Sequence, residues 1–321
     1  MVKQLESAPD RVRVTRRPVH GVLLLDKPLG LSSNDALQKA KWLLRAEKAG
    51  HTGTLDPLAT GVLPLCFGAA TKFSQLQLDA DKTYEAVARL GQTTDTGDAE
   101  GVVVAERAVS ATQEDIDRVH VRFVGAIRQL PPMYSALKKD GKPLYEYARA
   151  GIDVERQERS VTIHALTMAL EQGNGGHQAL RMVVKCSKGT YIRTLAQDIG
   201  EALGCGAHLI ALRRIATGGF GVARCVGLEQ LQAMTEARRL ACLLPVDALL
   251  DEHTAVTLGR EDAGRFLSGL RRRGPWPDAG QIAVYGEQPR ALLGTAHVCA
   301  GELIPGRLLS PIEIQQSLVG H

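Results

Sequence analysis

The chain has 321 residues, of which 44% are hydrophobic and 23% are charged, and its formal net charge is +4. These are ordinary values for a globular protein, and the length allows one large domain plus a small one. So small a net charge does not by itself indicate a nucleic-acid partner. No segment approaches membrane-spanning length and the N-terminus lacks a signal-peptide core, so we expect a soluble, cytoplasmic protein.

The cysteines are too scattered to suggest a metal site or a disulfide framework. They form no C-x-x-C pair, and no histidines accompany them at metal-ligand spacing. We therefore expect reduced, buried thiols and no structural metal, which agrees with a cytosolic protein. The six are Cys66, Cys186, Cys205, Cys225, Cys242 and Cys299.

Residues 1–19 form a polar and basic segment, which we predict to be a flexible tail. The simpler explanation for its charges is a solvent-exposed tail, and the more specific alternative is contact with phosphate groups. The same two explanations apply to the run Arg271–Arg273. The basic residues of the tail include Arg11, Arg13, Arg16 and Arg17.

From Gly21 an apolar run predicts a buried strand, which ends in a turn at residues 26–30. Ser32 and Asp35 then have the spacing of a capping box and predict a helix that continues to about Arg45. Several lysines and arginines lie on the far side of this helix. Solubility and RNA contact explain them about equally well.

Residues 50–61 read Gly-His-Thr-Gly-Thr-Leu-Asp-Pro-Leu-Ala-Thr-Gly. Gly50 and Gly53 permit backbone angles that other residues avoid, so the segment can bend tightly and approach a ligand closely. Pro57 disfavours the helical region for Asp56 and places its carboxylate on an extended corner. His51 could stack on a flat ring. However, Asp-Pro turns between glycines are common without any chemistry, so an ordinary turn is the alternative.

The next elements are a short helix at residues 69–73 and a half-buried strand at residues 82–91, with Tyr84 at its entry. The loop at residues 92–101 carries three carboxylates, but it lacks the spacing and the terminal glutamate of a calcium loop. We therefore predict no metal there. Residues 112–123 are predicted to be helical.

Residues 129–147 mix lysines with tyrosines, and they contain three of the chain's six tyrosines. Cations between aromatic rings suit an unpaired RNA loop, which offers both phosphates and bases for stacking. This concentration favours a functional role over simple core packing. The residues concerned are Tyr134, Lys138, Lys139, Lys142, Tyr145 and Tyr147.

Residues 161–170 and 179–187 are predicted strands, and a helix follows the turn at residues 188–190. Arg193 falls in the first turn of this helix, where the helix dipole disfavours a cation. We therefore expect a carboxylate partner for Arg193. Since the strands alternate with few helices and no long βαβ repeats occur, the sequence predicts an α+β fold with a mixed, largely antiparallel sheet.

The twelve residues 50–61 resemble the catalytic motif of the TruB family, the bacterial tRNA pseudouridine-55 synthases. Further stretches are similar to other motifs of this family: Lys27-Pro28-x-Gly30, Lys82-x-Tyr84 and residues 129–147, 187–193 and 206–220. The resemblance implies the pseudouridine-synthase catalytic domain for residues 20–250. It is weaker over residues 251–321, for which it implies a small, β-rich, PUA-like RNA-binding domain.

The resemblance also implies roles for individual residues. Asp56 would be the catalytic carboxylate, Tyr84 would stack on the target uracil, and Arg193 would pair with Asp56, lower its pKa and keep it ionised. His51 would fill the space that the flipped base leaves. The remaining substrate-binding assignments are Tyr191, Leu212 and Lys27, although the motif of Lys27 suggests support of the catalytic loop.

The implied function is the isomerisation of uridine 55 in the T-arm loop of tRNA, with no cofactor and no metal. We expect the protein to act as a monomer. One alternative is a tRNA-binding or tRNA-folding protein without activity, and another is a pseudouridine synthase that acts on a different RNA. Related families usually carry Arg-Leu-Asp where this chain has Thr54-Leu55-Asp56. A guide-RNA-dependent relative is a further alternative, which the free-standing motifs disfavour.

Overall fold

The structure is a computed structural model that describes residues 15–173 and 175–319. Most of the predicted tail, including Arg11 and Arg13, lies outside the described residues. At the described end of the tail, Arg17 pairs with Glu236 at 2.8 Å and its amide donates to the carbonyl of Arg45.

The strands in chain order are β1 (Gly21–Lys27), β2 (Ala49–His51), β3 (Ala59–Phe67), β4 (Lys82–Leu90), β5 (Gln92–Thr94), β6 (Val103–Glu106), β7 (Gly125–Gln129), β8 (Lys138–Lys139), β9 (Lys142–Pro143), β10 (Arg159–Gln172), β11 (Gln178–Cys186), β12 (Ala207–Thr217), β13 (Phe220–Gly221), β14 (Val226–Gly227), β15 (Ala255–Leu258), β16 (Arg272–Arg273), β17 (Ala279–Glu287), β18 (Arg290–Cys299) and β19 (Glu302–Leu308).

The α-helices are α1 (Ser33–Leu43), α2 (Ser74–Asp79), α3 (Gln113–His120), α4 (Leu144–Arg149), α5 (Ile192–Ala202), α6 (Leu228–Ala233), α7 (Glu236–Ala241), α8 (Arg260–Leu267) and α9 (Pro311–Val319). Short 3-10 helices cover Gly68–Lys72, Val222–Arg224 and Val246–Leu250.

The main sheet has the strand order β14-β1-β3-β12-β4-β11-β10-β7, with β2 and β13 paired at its side. The pairs β1–β14 and β3–β12 are parallel, and the other pairs in this sheet are antiparallel. The predicted α+β class with a mixed, largely antiparallel sheet is therefore confirmed. The parallel pair β3–β12 lies at the centre, so the segments that enter β3 and leave β12 flank the middle of the sheet.

Local sequence signals explain the elements that hold the site. The side chain of Ser32 accepts a hydrogen bond from the amide of Asp35, so the predicted start of α1 is confirmed. Ala36, Leu37 and Ala40 then face the core, as the helical period requires. This packing fixes the N-terminal end of α1 against the rest of the domain.

The C-terminal strands form a second sheet in the order β15-β17-β18-β19-β16. It packs on the first part of the chain through one continuous apolar cluster, in which Leu249 is 2% exposed. Lys72 adds a polar tie, because it pairs with Glu313 of α9 at 2.6 Å and donates to the carbonyl of Leu308. The predicted β-rich character of this region is confirmed. Among the described residues, no helix is long and apolar enough to cross a membrane.

Replacing Leu249 by Ala should lower the free energy of unfolding by about 2–4 kcal/mol, because the change removes buried apolar surface and leaves a cavity between the two sheets. Urea unfolding measures this quantity. The matched control is Leu270→Ala at a leucine that is 54% exposed, for which we expect a change within about 0.5 kcal/mol. Equal losses in both variants would show that the cluster does not join the sheets.

Candidate active site

The segment between β2 and β3, residues 52–58, is held at both sides by hydrogen bonds to the start of α1. The amide of Leu55 donates to Ser33 Oγ at 2.7 Å, and this hydroxyl donates to the Leu55 carbonyl at 3.0 Å. The amide of Gly30 donates to the Pro57 carbonyl at 2.9 Å. The residues directly before and after Asp56 are therefore both fixed, which places its carboxylate on a rigid corner.

Arg193, in the first turn of α5, has the carboxylate partner that the sequence predicts, which is Asp56. Its Nη2 lies 2.9 Å from Asp56 Oδ2, and its Nη1 lies 3.6 Å from Asp98 Oδ2. The guanidinium also donates to the carbonyls of Thr96 and Tyr134, at 3.0 and 2.7 Å. The side chain of Arg193 is 6% exposed, whereas that of Asp56 is 40% exposed. A substrate can therefore reach Asp56 while Arg193 stays behind it.

Burial determines the direction in which the pKa of Asp56 moves. The surrounding protein disfavours the charged form and raises the pKa above its ordinary value, while Arg193 lowers it and the charge of Asp98 raises it further. The expectation that Arg193 would bring the pKa below the ordinary value is therefore wrong in its net direction. The guanidinium limits the rise instead of reversing it, because burial has the larger effect on this carboxyl group.

A cavity of about 350 Å³ opens beside Asp56, and its walls hold most of the residues that the resemblance assigns to the site. Burial raises the pKa of Tyr84, and the nearby charge of Arg214 opposes this rise. Both tyrosines therefore present neutral phenols, because burial also raises the pKa of Tyr191. The assigned residues that line the cavity are Asp56, Tyr84, Tyr191, Arg193 and Leu212.

Two assigned residues have other surroundings. His51 ends β2, opposite Leu65 of β3, and burial together with the charge of Arg214 lowers its pKa, so its ring is neutral near pH 7. Lys27 is fully buried and donates to the carbonyls of Pro28 and Leu31. Burial lowers its pKa to about 8. The ammonium therefore supports the turn that precedes α1, which is the role that the motif of Lys27 suggests.

Two polar residues of the site, Asp98 and Arg214, were not predicted from the sequence. Asp98 belongs to the loop that we tested only as a calcium site, yet its side chain is 4% exposed and faces Arg193. Arg214 also lines the cavity, and its side chain is 1% exposed. The only indication in the sequence was that each is a charged residue within a segment expected to pack closely. That indication does not reveal which group each side chain contacts. Among the described residues, no cluster of three or more His, Cys, Asp or Glu could hold a metal ion.

Comparison with protein families decides the classification. The model of the TruB family pseudouridylate synthase N-terminal domain matches residues 41–192, and that of the tRNA pseudouridylate synthase B C-terminal domain matches residues 193–251. The chain belongs to the TruB family. It is accordingly an enzyme of the pseudouridylate synthase type, an isomerase.

Relatives of known name match along nearly the whole chain. A tRNA pseudouridine synthase B from Verminephrobacter eiseniae is 66% identical over 97% of this chain and 95% of its own length. The protein of the same name from Cupriavidus pinatubonensis is 62% identical over 92% of this chain and 96% of its own length. The similarity to these relatives thus extends over nearly the whole of this TruB-family chain.

Solved structures share the TruB-family fold at low sequence identity. A Cbf5–Nop10–Gar1 complex contains a chain that is 24% identical, with a TM-score of 0.70 over 96% of this chain and 92% of that one. An H/ACA RNP bound to a substrate RNA containing 2′-deoxyuridine gives 22% identity and a TM-score of 0.66, over 95% and 92% of the two chains. These similarities establish the pseudouridine-synthase fold.

Titration of the Asp56 carboxyl should give a pKa above the ordinary aspartate value. In an Arg193→Met variant the pKa should rise further, because a cation that favours the charged form is removed. In an Asp98→Asn variant it should fall, because a like charge is removed. Carbon-13 NMR of labelled aspartate carboxyls, assigned with Asp56→Asn, measures all three values. A fall in the pKa of the Arg193→Met variant would contradict this electrostatic description.

Proposed function

We propose that this enzyme converts the uridine at position 55, in the T-arm loop of tRNA, to pseudouridine, with Asp56 as the catalytic carboxylate. The observation that carries the proposal is the 2.9 Å ion pair between Asp56 and Arg193 at a cavity that is open to solvent on the Asp56 side. The names of the bacterial relatives support tRNA as the substrate.

The reaction breaks the bond between N1 of uracil and C1′ of ribose, turns the base, and joins C5 to C1′. The proton on C5 is lost and N1 gains one, so the reaction needs no net oxidant or reductant. Asp56 can serve in two ways. It can attack C1′ as a nucleophile, or it can remove the 2′ proton of the ribose to give a glycal, and both routes need its ionised form.

The other cavity residues complete the assignment. Arg193 limits the rise in the pKa of Asp56 and thereby favours the ionised carboxylate that both routes need. Tyr84 stacks on the uracil and can relay the C5 proton, its phenol oxygen accepting this proton as its own O–H proton passes to water; a backbone or water relay is the equal alternative. Tyr191 and Leu212 enclose the base. Since the base must leave its stack, His51 fills the space behind it.

The segment predicted to meet the RNA contains a short hairpin whose lysines Lys138 and Lys139 are exposed. Lys138 and Lys139 form β8, and Lys142 begins β9, so that three ammonium groups follow one short hairpin. Lys142 also lies 4.9 Å from the ring of Tyr147. Proteins recognise a hairpin loop of RNA by stacking on its bases and by contacting its phosphates and 2′-hydroxyls. The lysines can contact phosphates, and the tyrosine can stack on a base.

The proposal for the whole chain follows the divisions drawn from the sequence. Residues 20–250 form the catalytic domain, residues 251–321 form a PUA-like RNA-binding domain, and residues 1–19 form a basic tail. The protein works as a monomer in the cytoplasm. The continuous apolar cluster between the two sheets supports a fixed placement of the second domain beside the first.

The deciding experiment incubates the protein with an unmodified tRNA transcript and maps pseudouridine by carbodiimide labelling. We expect one modified uridine, at position 55. Asp56→Asn should lower the rate roughly a thousandfold or more, because the carboxylate is lost. Its affinity for tRNA should stay within about tenfold. The variant should fold, since Arg193 keeps Asp98 as a partner.

Asp95→Asn is the matched control, because Asp95 is an exposed carboxylate in the neighbouring loop, and it should retain the wild-type rate. Modification by Asp56→Asn at the normal rate would remove Asp56 from the mechanism. A wild type that binds the transcript without changing any uridine would favour a tRNA-folding protein, and modification elsewhere would overturn the assigned position.

A further inference from the structure

Arg214 occupies the centre of the main sheet. It lies on β12, where its backbone is the partner of Gly61 on β3 and of Tyr84 on β4. Its side chain is among the largest that are fully buried in the protein, and it reaches the wall of the cavity beside Asp56. Three adjacent strands therefore bring together the end of the loop that carries Asp56, this guanidinium and the stacking tyrosine.

Residues 53–62, here called the Asp56 loop, run from the segment before β3 into its first residues, and the guanidinium of Arg214 connects both ends of this loop. Its Nε donates to the carbonyl of Val62 at 2.7 Å, and its Nη2 donates to the carbonyl of Gly53 at 3.0 Å. Gly53 precedes Asp56 and Val62 follows it. Because a planar guanidinium donates in fixed directions, one side chain sets the positions of the two carbonyls relative to each other.

Arg214 lies so close to two glycines of this loop that little or no room remains for a side chain at either position. Gly61 has a φ of +100°, and a Cβ there would collide with the backbone carbonyl of Arg214. Gly53 has a φ of +80°, and a Cβ there would lie 3.3 Å from Arg214 Nη1. The sequence suggested that Gly53 lets the segment approach a ligand, but its close neighbour is Arg214, as it is at Gly61.

Electrostatics argue against a purely stabilising role for Arg214. Burial lowers the pKa of Lys27, of Lys82 and of His51, and the charge of Arg214 lowers each of them further, so Arg214 lies near two lysines whose charged forms it disfavours. Burying a charge beside like charges costs stability unless a specific geometry is gained. The specific geometry that the structure shows is the pair of hydrogen bonds from Arg214 to the carbonyls of Gly53 and Val62.

We infer that Arg214 is a positioning residue: it fixes the loop that carries Asp56 against the strand that carries Tyr84. The inference rests on the proposed function only for its effect on the rate, since the loop is held in the free protein as well. Without the two hydrogen bonds, the Asp56 carboxylate would shift relative to the base-stacking ring. Displacements of about 1 Å in an active site can cost about a hundredfold in rate.

The first test compares Arg214→Lys with Arg213→Lys. Lysine keeps the charge but presents its donors at one point, so it cannot hold both carbonyls. Arg213 is the adjacent residue, and its guanidinium pairs with Asp26 at 2.7 Å. In Arg214→Lys, single-turnover modification of tRNA should slow about a hundredfold, with the dissociation constant within about threefold. The control should keep its rate. Equal losses of rate and affinity would make Arg214 a substrate contact.

The second test needs no substrate. Hydrogen exchange of the amides in residues 53–62 of the free protein should become about tenfold faster or more in Arg214→Lys, because a charged hydrogen bond is lost, and should not change in Arg213→Lys. Unchanged exchange would overturn the inference. This readout stays decisive if the wild type makes no pseudouridine, so failure of the proposed function and failure of this inference are distinguishable.

If Arg214→Lys does not fold, two glycine variants test the same inference. Gly53→Ala places a methyl group against Arg214 Nη1, whereas Gly50→Ala meets nothing within 4 Å. We expect faster exchange of residues 53–62 and a slower modification rate for Gly53→Ala, with tRNA affinity retained. Gly50→Ala should behave as the wild type. Identical behaviour of the two variants would contradict the role of Arg214.

Discussion

The ion pair between Asp56 and Arg193 is the interaction on which the rest of the site depends. The two residues are far apart in sequence, and they meet because the loop before β3 and the first turn of α5 face each other across the cavity. Burying the guanidinium is costly, and the cost is offset by two carboxylates and two carbonyls. The same arrangement leaves Asp56 as the partner that remains accessible.

The central strands explain why this loop is rigid. The segment before β3 is held by two sets of hydrogen bonds. One set joins Leu55 to Ser33 at the start of α1, and the other joins Gly53 to Arg214 of β12. Tyr84 enters from β4, the other neighbour of β12. Rate acceleration by a single carboxylate requires that it be placed before the substrate arrives, and rigid strands serve this purpose better than a free loop.

The sequence predicted much of the fold, and it predicted the ion pair of the site but not the net pKa shift of Asp56. Strand alternation and the Ser32 cap gave the class and the start of α1, since both depend on local periodicity. The misfit of Arg193 at a helix start correctly indicated a carboxylate partner. The net pKa of Asp56 and the position of Lys27 were not predictable, because both depend on burial by distant segments. Arg214 was missed because nothing in its neighbourhood on β12 reveals which face of the sheet it occupies.

A structure of the protein bound to a T-arm hairpin tests the central claim most directly. The quantity to measure is the distance between the Asp56 carboxylate and C1′ of the uridine at position 55. Our account predicts an unstacked uridine inside the cavity, with this distance at about 3–3.5 Å and the ion pair to Arg193 intact. A uridine that stays stacked in the hairpin, or whose C1′ lies nearest to another acidic residue, would contradict it.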